Sequence, residues 1–162
     1  KGVSAFVPPL TTQDFNLYAT EQWQQADDYD EGMRLAAADN RPVLIDFSGY
    51  GCVNCRKMEG AVFDTDRISS MIGERFVLVT LMVDDKRKLP QPMTVIENGR
   101  KITLETIGDK WSYLQRYKFK ANSQPYYIVL DNDGDALVSS RGYNEDVDAF
   151  AKWLESALDN YK

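Results

Sequence analysis

The chain has 162 residues, 43% of them hydrophobic and 27% charged, with a formal net charge of −6. That length carries one domain with a real core, and the charged fraction is that of a folded globular chain rather than a disordered tail. The acidic balance argues against a nucleic-acid partner, which needs a basic face, and no apolar run approaches the roughly 20 residues of a membrane helix.

Residues 1–27 are polar and weakly periodic, with Pro8-Pro9 near the start. They read as an arm or linker ahead of a domain over 28–162. The chain starts at Lys1 with no signal-peptide pattern, so the expectation is a mature protein or an excised domain. Asp28 or Asp30 is expected to cap a helix running to about Asn40, with Met33, Leu35 and Ala36 inward and Pro42 ending it. Val43-Leu44-Ile45-Asp46-Phe47 is an apolar run with one acid inside it, which suits a strand buried on both faces. The glycine-containing loop Ser48 to Gly51 leads into a helix expected from Cys52 to about Val62.

A second short helix is expected after Asp64 or Thr65, with Ile68, Met71 and Ile72 inward, and Phe76 to Val83 reads as the next buried strand. Met93 to Ile96 and Lys101 to Leu104 flank Asn98-Gly99, a strong hairpin signal. Asp109 is expected to cap a helix carrying Trp111, Leu114, Tyr117 and Phe119. Gln124-Pro125 opens a strand over Tyr126 to Leu130. Asp131 to Asp135 is a turn, and Ala136 to Ser140 is expected to be the paired strand. The aspartates of that turn lack the glycine placement and the final glutamate of a calcium loop, so a hairpin turn is the better reading. Asn144 is expected to cap a last helix with Val147, Phe150, Trp153, Leu154, Ala157 and Leu158 at helical spacing. The aromatics Trp111, Tyr113, Tyr117, Phe150 and Trp153 read as core. The order is α/β, ending in an antiparallel pair and a helix.

The chain has two cysteines and no histidine. Without an imidazole there is no Cys-His protease, two thiolates fall short of a zinc site, and Arg56 after Cys55 rules out haem attachment. No metal and no cofactor is expected. Cys52-Val53-Asn54-Cys55 can close a disulfide on itself, and a loop that short removes little unfolded-state entropy, which favours redox work over a structural staple. The thiolate is the nucleophile in disulfide exchange, and a helix N-terminus lowers the pKa of a thiol placed there. Cys52 is therefore expected to attack and Cys55, one turn on and more buried, to resolve the mixed disulfide.

Three further residues leave alternatives open on their own. Asp46, buried six residues before Cys52, is either a proton acceptor for Cys55 or an acid satisfied by backbone or a lysine. Glu59, one turn after Cys55, either shares that proton traffic or is a solvated helix residue. The Gln124-Pro125 bond is either cis or the trans start of an edge strand.

Together, the apolar strand, the glycine loop, the C-x-x-C, the proline-led strand and the last helix resemble the thioredoxin fold over about 28–160. This implies a central mixed sheet flanked by helices, here with an N-terminal arm and an inserted β-hairpin plus helix at about 89–118. The run Asp46 to Glu59 and the stretch Asn122 to Tyr127 are more narrowly similar to C-terminal domains of the thiol:disulfide interchange protein DsbD, in the Bacteroides-type form in which the strand continues through Val83-Asp84-Asp85-Lys86 into an inserted hairpin.

The resemblance implies a cis Pro125, an Asp46 buried under the second cysteine, and a Glu59 that joins it in tuning the site. Tyr50, Gly51, Gln124 and Pro125 are the expected substrate contacts. It further implies a reductase domain in the periplasm. Such a domain draws electrons from a membrane-embedded domain of the same parent protein and passes them to periplasmic thiol-disulfide proteins, acting as a monomer when isolated. The chain departs from the common thioredoxin motif at Gly51, where that motif has Trp, and at Val53-Asn54, where it has Gly-Pro. A binding or chaperone-like module, or a disulfide isomerase, is the alternative reading.

Overall fold

Strand β2, Val43–Ser48, is buried at every position, Asp46 included, and this sets the architecture. A strand apolar on both faces requires cover on both sides. In the computed structural model, which describes residues 24–161, β2 is an inner strand of a four-stranded sheet in the order β1-β3-β2-β6. β1 (Gln24–Ala26) and β2 both run parallel to β3 (Val77–Met82), and β6 (Tyr126–Leu130) is antiparallel to β2, so the sheet is mixed. The expected arm thus contributes Gln24–Ala26 as an edge strand, and its residues 1–23 lie outside the described residues.

Helices cover both faces. On one face Leu44, Leu78, Tyr127 and Val129 pack with Met58, Val62, Phe63, Ile68, Ile72, Phe150 and Leu154. These come from α2 (Val53–Met58) and the π turn Glu59–Phe63, from α3 (Asp66–Arg75) and from α5 (Val147–Asn160). On the other face Val43, Ile45, Phe47, Val79 and Ile128 pack with Ala36 of α1 (Tyr29–Asp39) and Trp111 of α4 (Ile107–Phe119). This is the thioredoxin fold.

Local chemistry explains most element ends. Asp28 caps α1 by accepting the Glu31 N–H, and Asn40 closes it in the left-handed region at φ 57°. The Thr65 hydroxyl accepts the Ile68 N–H at the start of α3. Asn98 and Gly99, at φ 54° and 79°, make the tight turn between β4 (Lys88–Glu97) and β5 (Arg100–Thr106), a two-stranded ribbon apart from the main sheet.

Several expectations are corrected. The helix after the dithiol is not uniformly α: it loosens to a π turn at Glu59–Phe63. Thr106, not Asp109, is the N-cap of α4. Asp109 is the reciprocal partner that accepts the Thr106 N–H, completing a capping box. Asp146, not Asn144, caps α5, while Asn144 accepts the Asp146 N–H one step earlier. Tyr117 is exposed rather than core and stacks on Tyr113 at the surface.

Ala136 to Ser140 does not form a regular strand. It pairs with β6 at the bridge Leu130–Ala136, and a second bridge, Tyr127–Arg141, follows just past its end. Those bridges are three residues apart along β6 but five apart along the other segment, so the surplus residues bow out and break the ladder.

Candidate active site

Cys52 is the N-cap of α2. The preceding strand is buried throughout and ends at Ser48, so Gly49–Gly51 link it to the helix start. Cys52 and Cys55 are joined as a disulfide with their Cα atoms 5.2 Å apart. The Cys52 sulfur accepts the backbone N–H of Cys55 at 3.1 Å, so an orphan donor of the helix start points at the expected nucleophile. Cys52 is partly exposed and Cys55 is 2% exposed.

Asp46 shares its face of β2 with Leu44, and both look toward the side covered by the dithiol helix. It is 6% exposed, and its Oδ1 has no hydrogen-bond partner. Burial pushes its carboxyl up to about 7, the negative charge of Glu59 pushes it the same way, and Arg56 pulls it back. Its directly opposed neighbour on β6 is Tyr127, whose phenol is held well above its usual range by burial and then by the charge of Asp46.

Glu59 is half-buried, and its carboxylate is taken by Arg56 at 2.9 Å. Arg56 also donates to Ser48 Oγ at 3.2 Å and to the Tyr50 carbonyl at 3.3 Å. It therefore ties the dithiol helix to the loop before it.

The Gln124–Pro125 peptide is cis. Tyr126 pairs with Phe47, which sets Pro125 at the end of β2 from which the Gly49–Gly51 loop departs. Gln124 donates to Gln115 Oε1 at 2.9 Å, and the buried Gln115 amide donates to the Ser123 carbonyl at 2.9 Å, so α4 braces the proline loop. Tyr50 and Val53, 60% and 66% exposed, flank the disulfide as an open apolar rim, and Gly51 is exposed beside them.

Two site residues escaped sequence reasoning. Arg56 was visible only as the residue that excluded haem. Asp84, just past β3, accepts the N–H groups of Tyr50 and Gly51 at 2.8 and 3.0 Å. The carboxylate lies close enough that a Cβ on Gly49 would sit 3.3 Å from it. Only the acid pair Asp84-Asp85 directly after an apolar strand hinted at it. Among the described residues no group of three or more His, Cys, Asp or Glu is placed to hold a metal ion, and no helix is long and apolar enough to cross a membrane.

A partly exposed sulfur paired with a buried one, at a helix start and beside a buried acid, defines a dithiol-disulfide exchange site of the thioredoxin type. The chain belongs to the thioredoxin-like domain family, whose pattern matches residues 29–158. It is similar to the thiol:disulfide interchange protein DsbD of Ralstonia nicotianae, at 37% identity over 49 residues, 30% of this chain and 8% of that protein. In structure it resembles a DsbH oxidoreductase, with a TM-score of 0.61 and 19% identity over 94% of this chain and 95% of the other. It also resembles the reduced C-terminal domain of DsbD from Neisseria meningitidis, with a TM-score of 0.56 and 17% identity over 82% of this chain and 98% of the other. Identities that low speak for the fold. Family and redox-type disulfide together support thiol:disulfide oxidoreductase chemistry.

Proposed function

We propose that this chain is a protein-disulfide reductase domain that relays electrons by dithiol-disulfide exchange. In the reduced form the Cys52 thiolate attacks one sulfur of a partner's disulfide, forms a mixed disulfide and expels the partner's other sulfur as a thiolate. Cys55 gives its proton to the Asp46 carboxylate and attacks the Cys52 sulfur, releasing the partner's second thiolate. Two electrons have passed to the partner, and the domain is left with the Cys52–Cys55 disulfide seen here. A donor dithiol then restores it. Glu59 adds to burial in raising the Asp46 carboxyl from the helix side, and Tyr50, Gly51, Gln124 and Pro125 receive the partner's backbone.

The observation that carries this reading is the asymmetry of the pair: an accessible Cys52 at the helix start and a buried Cys55, with the unpartnered carboxyl of Asp46 on the sheet face beneath. An acid held near pH 7 suits a group that must both take and release a proton at each turnover.

The likeness to DsbD supports a finer role. On it we place the domain in the periplasm, fed by a membrane-embedded domain of a longer parent protein and acting on periplasmic thiol-disulfide proteins. The run Val83 to Lys86 leading into the β4–β5 ribbon favours the Bacteroides-type form. Equilibration with glutathione tests the direction of flow. A reductase should lie near thioredoxin's roughly −270 mV, and a value near the roughly −120 mV of a strong oxidant overturns it. Insulin reduction with dithiothreitol as donor should proceed with both cysteines present. A dead assay with both thiols free would favour a binding module.

A further inference from the structure

The loop that delivers Cys52 is gripped from both sides of one peptide. The Tyr50 N–H goes to Asp84 at 2.8 Å, and the Tyr50 carbonyl accepts from Arg56 at 3.3 Å. Asp84 also takes the next N–H, that of Gly51, at 3.0 Å, one residue from the nucleophile. Of the neighbouring charges, Asp85 is paired with Arg87 at 2.7 Å and Arg56 with Glu59 at 2.9 Å, while the positive charge of Arg56 also acts on Asp84. Among the described residues Asp84 forms no salt bridge, and its hydrogen bonds go to peptide N–H groups. Asp27, Asp85 and Arg87 complete the charged surroundings of Tyr50.

We propose that Asp84 is the positioning residue of the dithiol: its carboxylate fixes the Tyr50–Gly51 loop and holds a full negative charge one residue from Cys52, which disfavours the Cys52 thiolate and biases the pair toward giving electrons away. The inference rests on the exchange site proposed above and deepens it. A helix start alone stabilises a thiolate, and stabilising the reduced form makes a dithiol an oxidant. A fixed carboxylate at the loop, held by the N–H groups of Tyr50 and Gly51, opposes that. Asp84 suits the task because its surroundings favour the charged carboxylate. Partial burial pushes its carboxyl up, but the N–H groups of Gly51 and Tyr50 outweigh this and hold it below the usual carboxylate range.

The test uses the full chain with Asp84→Asn, which keeps the size and loses the charge, and Asp84→Glu, which keeps the charge. In a Cys55→Ser background Cys52 is the sole thiol, so thiolate absorbance and the pH profile of iodoacetamide alkylation read it directly. Asp84→Asn should shift that profile to lower pH. In the two-cysteine protein it should shift the glutathione equilibrium toward the reduced domain about three- to tenfold, which is roughly 15 to 30 mV less negative. Asp84→Glu should move both by less than half as much. Unchanged profiles in Asp84→Asn, or equal shifts in both variants, overturn the proposal. If Asp84→Asn does not fold, the natural protein in 1 M salt decides: screening should move its alkylation profile to lower pH, and a profile indifferent to salt overturns the proposal. The difference between variant and natural protein carries this test, whereas the absolute potential of the natural protein carries the reductase reading, so each can fail alone.

Discussion

Asp46 and Tyr127 stand directly opposite each other across the β2–β6 pair, a carboxyl and a phenol buried side by side on the face that carries the dithiol helix. Neither ionises easily there. The arrangement keeps the space beneath the active-site helix uncharged until a proton leaves Asp46.

The first prediction concerns stability and pH. The Asp46 carboxyl rises from 3.8 to about 7 on folding, so between those values the folded chain binds a proton that the unfolded chain has lost. The stabilising contribution is fully present below pH 3.8 and is lost as pH rises through about 7. At about 1.4 kcal/mol per unit, the folded state is penalised by about 4 kcal/mol once Asp46 is ionised. Asp46→Asn should therefore raise the urea midpoint at about pH 8 and remove most of the pH dependence between about pH 4 and 8. It should also slow insulin reduction at least about tenfold, because Cys55 loses its proton acceptor. A variant as pH-dependent as the natural protein would sink the assignment.

Two neighbours should tune that titration in opposite directions. Glu59→Gln removes a negative charge that pushes Asp46 up, so its carboxyl should titrate at lower pH. Arg56→Gln removes the positive charge that pulls it down and should move it higher. Carboxyl carbon chemical shifts followed across pH read both. Shifts of the same sign would show that the two side chains act through structure rather than charge.

The unequal exposure of the cysteines predicts which single mutant traps a partner. Cys55→Ser should accumulate a mixed disulfide through Cys52, visible as a mass increase that dithiothreitol removes. Cys52→Ser should accumulate little, since Cys55 is almost completely buried. If Cys52→Ser were the trapping variant, the roles would be reversed.

Gly108 predicts a purely structural loss. A Cβ there would lie 2.5 Å from the Val83 carbonyl oxygen and 2.7 Å from the Asp85 nitrogen, both backbone atoms. The first turn of α4 needs that close approach to receive the Gly108 N–H on the Asp85 carbonyl at 2.9 Å. Gly108→Ala should destabilise the fold by about 1–3 kcal/mol, read as a lower denaturant midpoint.

Some of this was legible from residue order and some was not. Local signals carried far. Asn98-Gly99 marks its own turn through two positive φ angles, Thr65 caps the helix after it, and an acid inside Val43 to Phe47 marks a buried strand with a task. Caps with several candidate oxygens were misassigned, because Asp109 and Asn144 lie within a turn of the true caps and still bond to the same helix starts. The π turn at Glu59–Phe63 has no distinctive composition, and the failed ladder at Ala136 to Ser140 turns on a register mismatch that no single segment reveals. Asp84 was hidden for another reason: its partners are backbone N–H groups more than thirty positions away, and backbone groups leave no trace in a sequence.

The β4–β5 ribbon shares no ladder with the main sheet and returns the chain to α4 close to where it left β3. It is held to α4 by the Glu97–Arg116 pair at 2.7 Å and by the buried Leu104. Its tip at Asn98-Gly99 offers a place for a fluorophore or an affinity tag, and a cargo fused there would report on encounters with partners while leaving the electron chemistry of the sheet end intact.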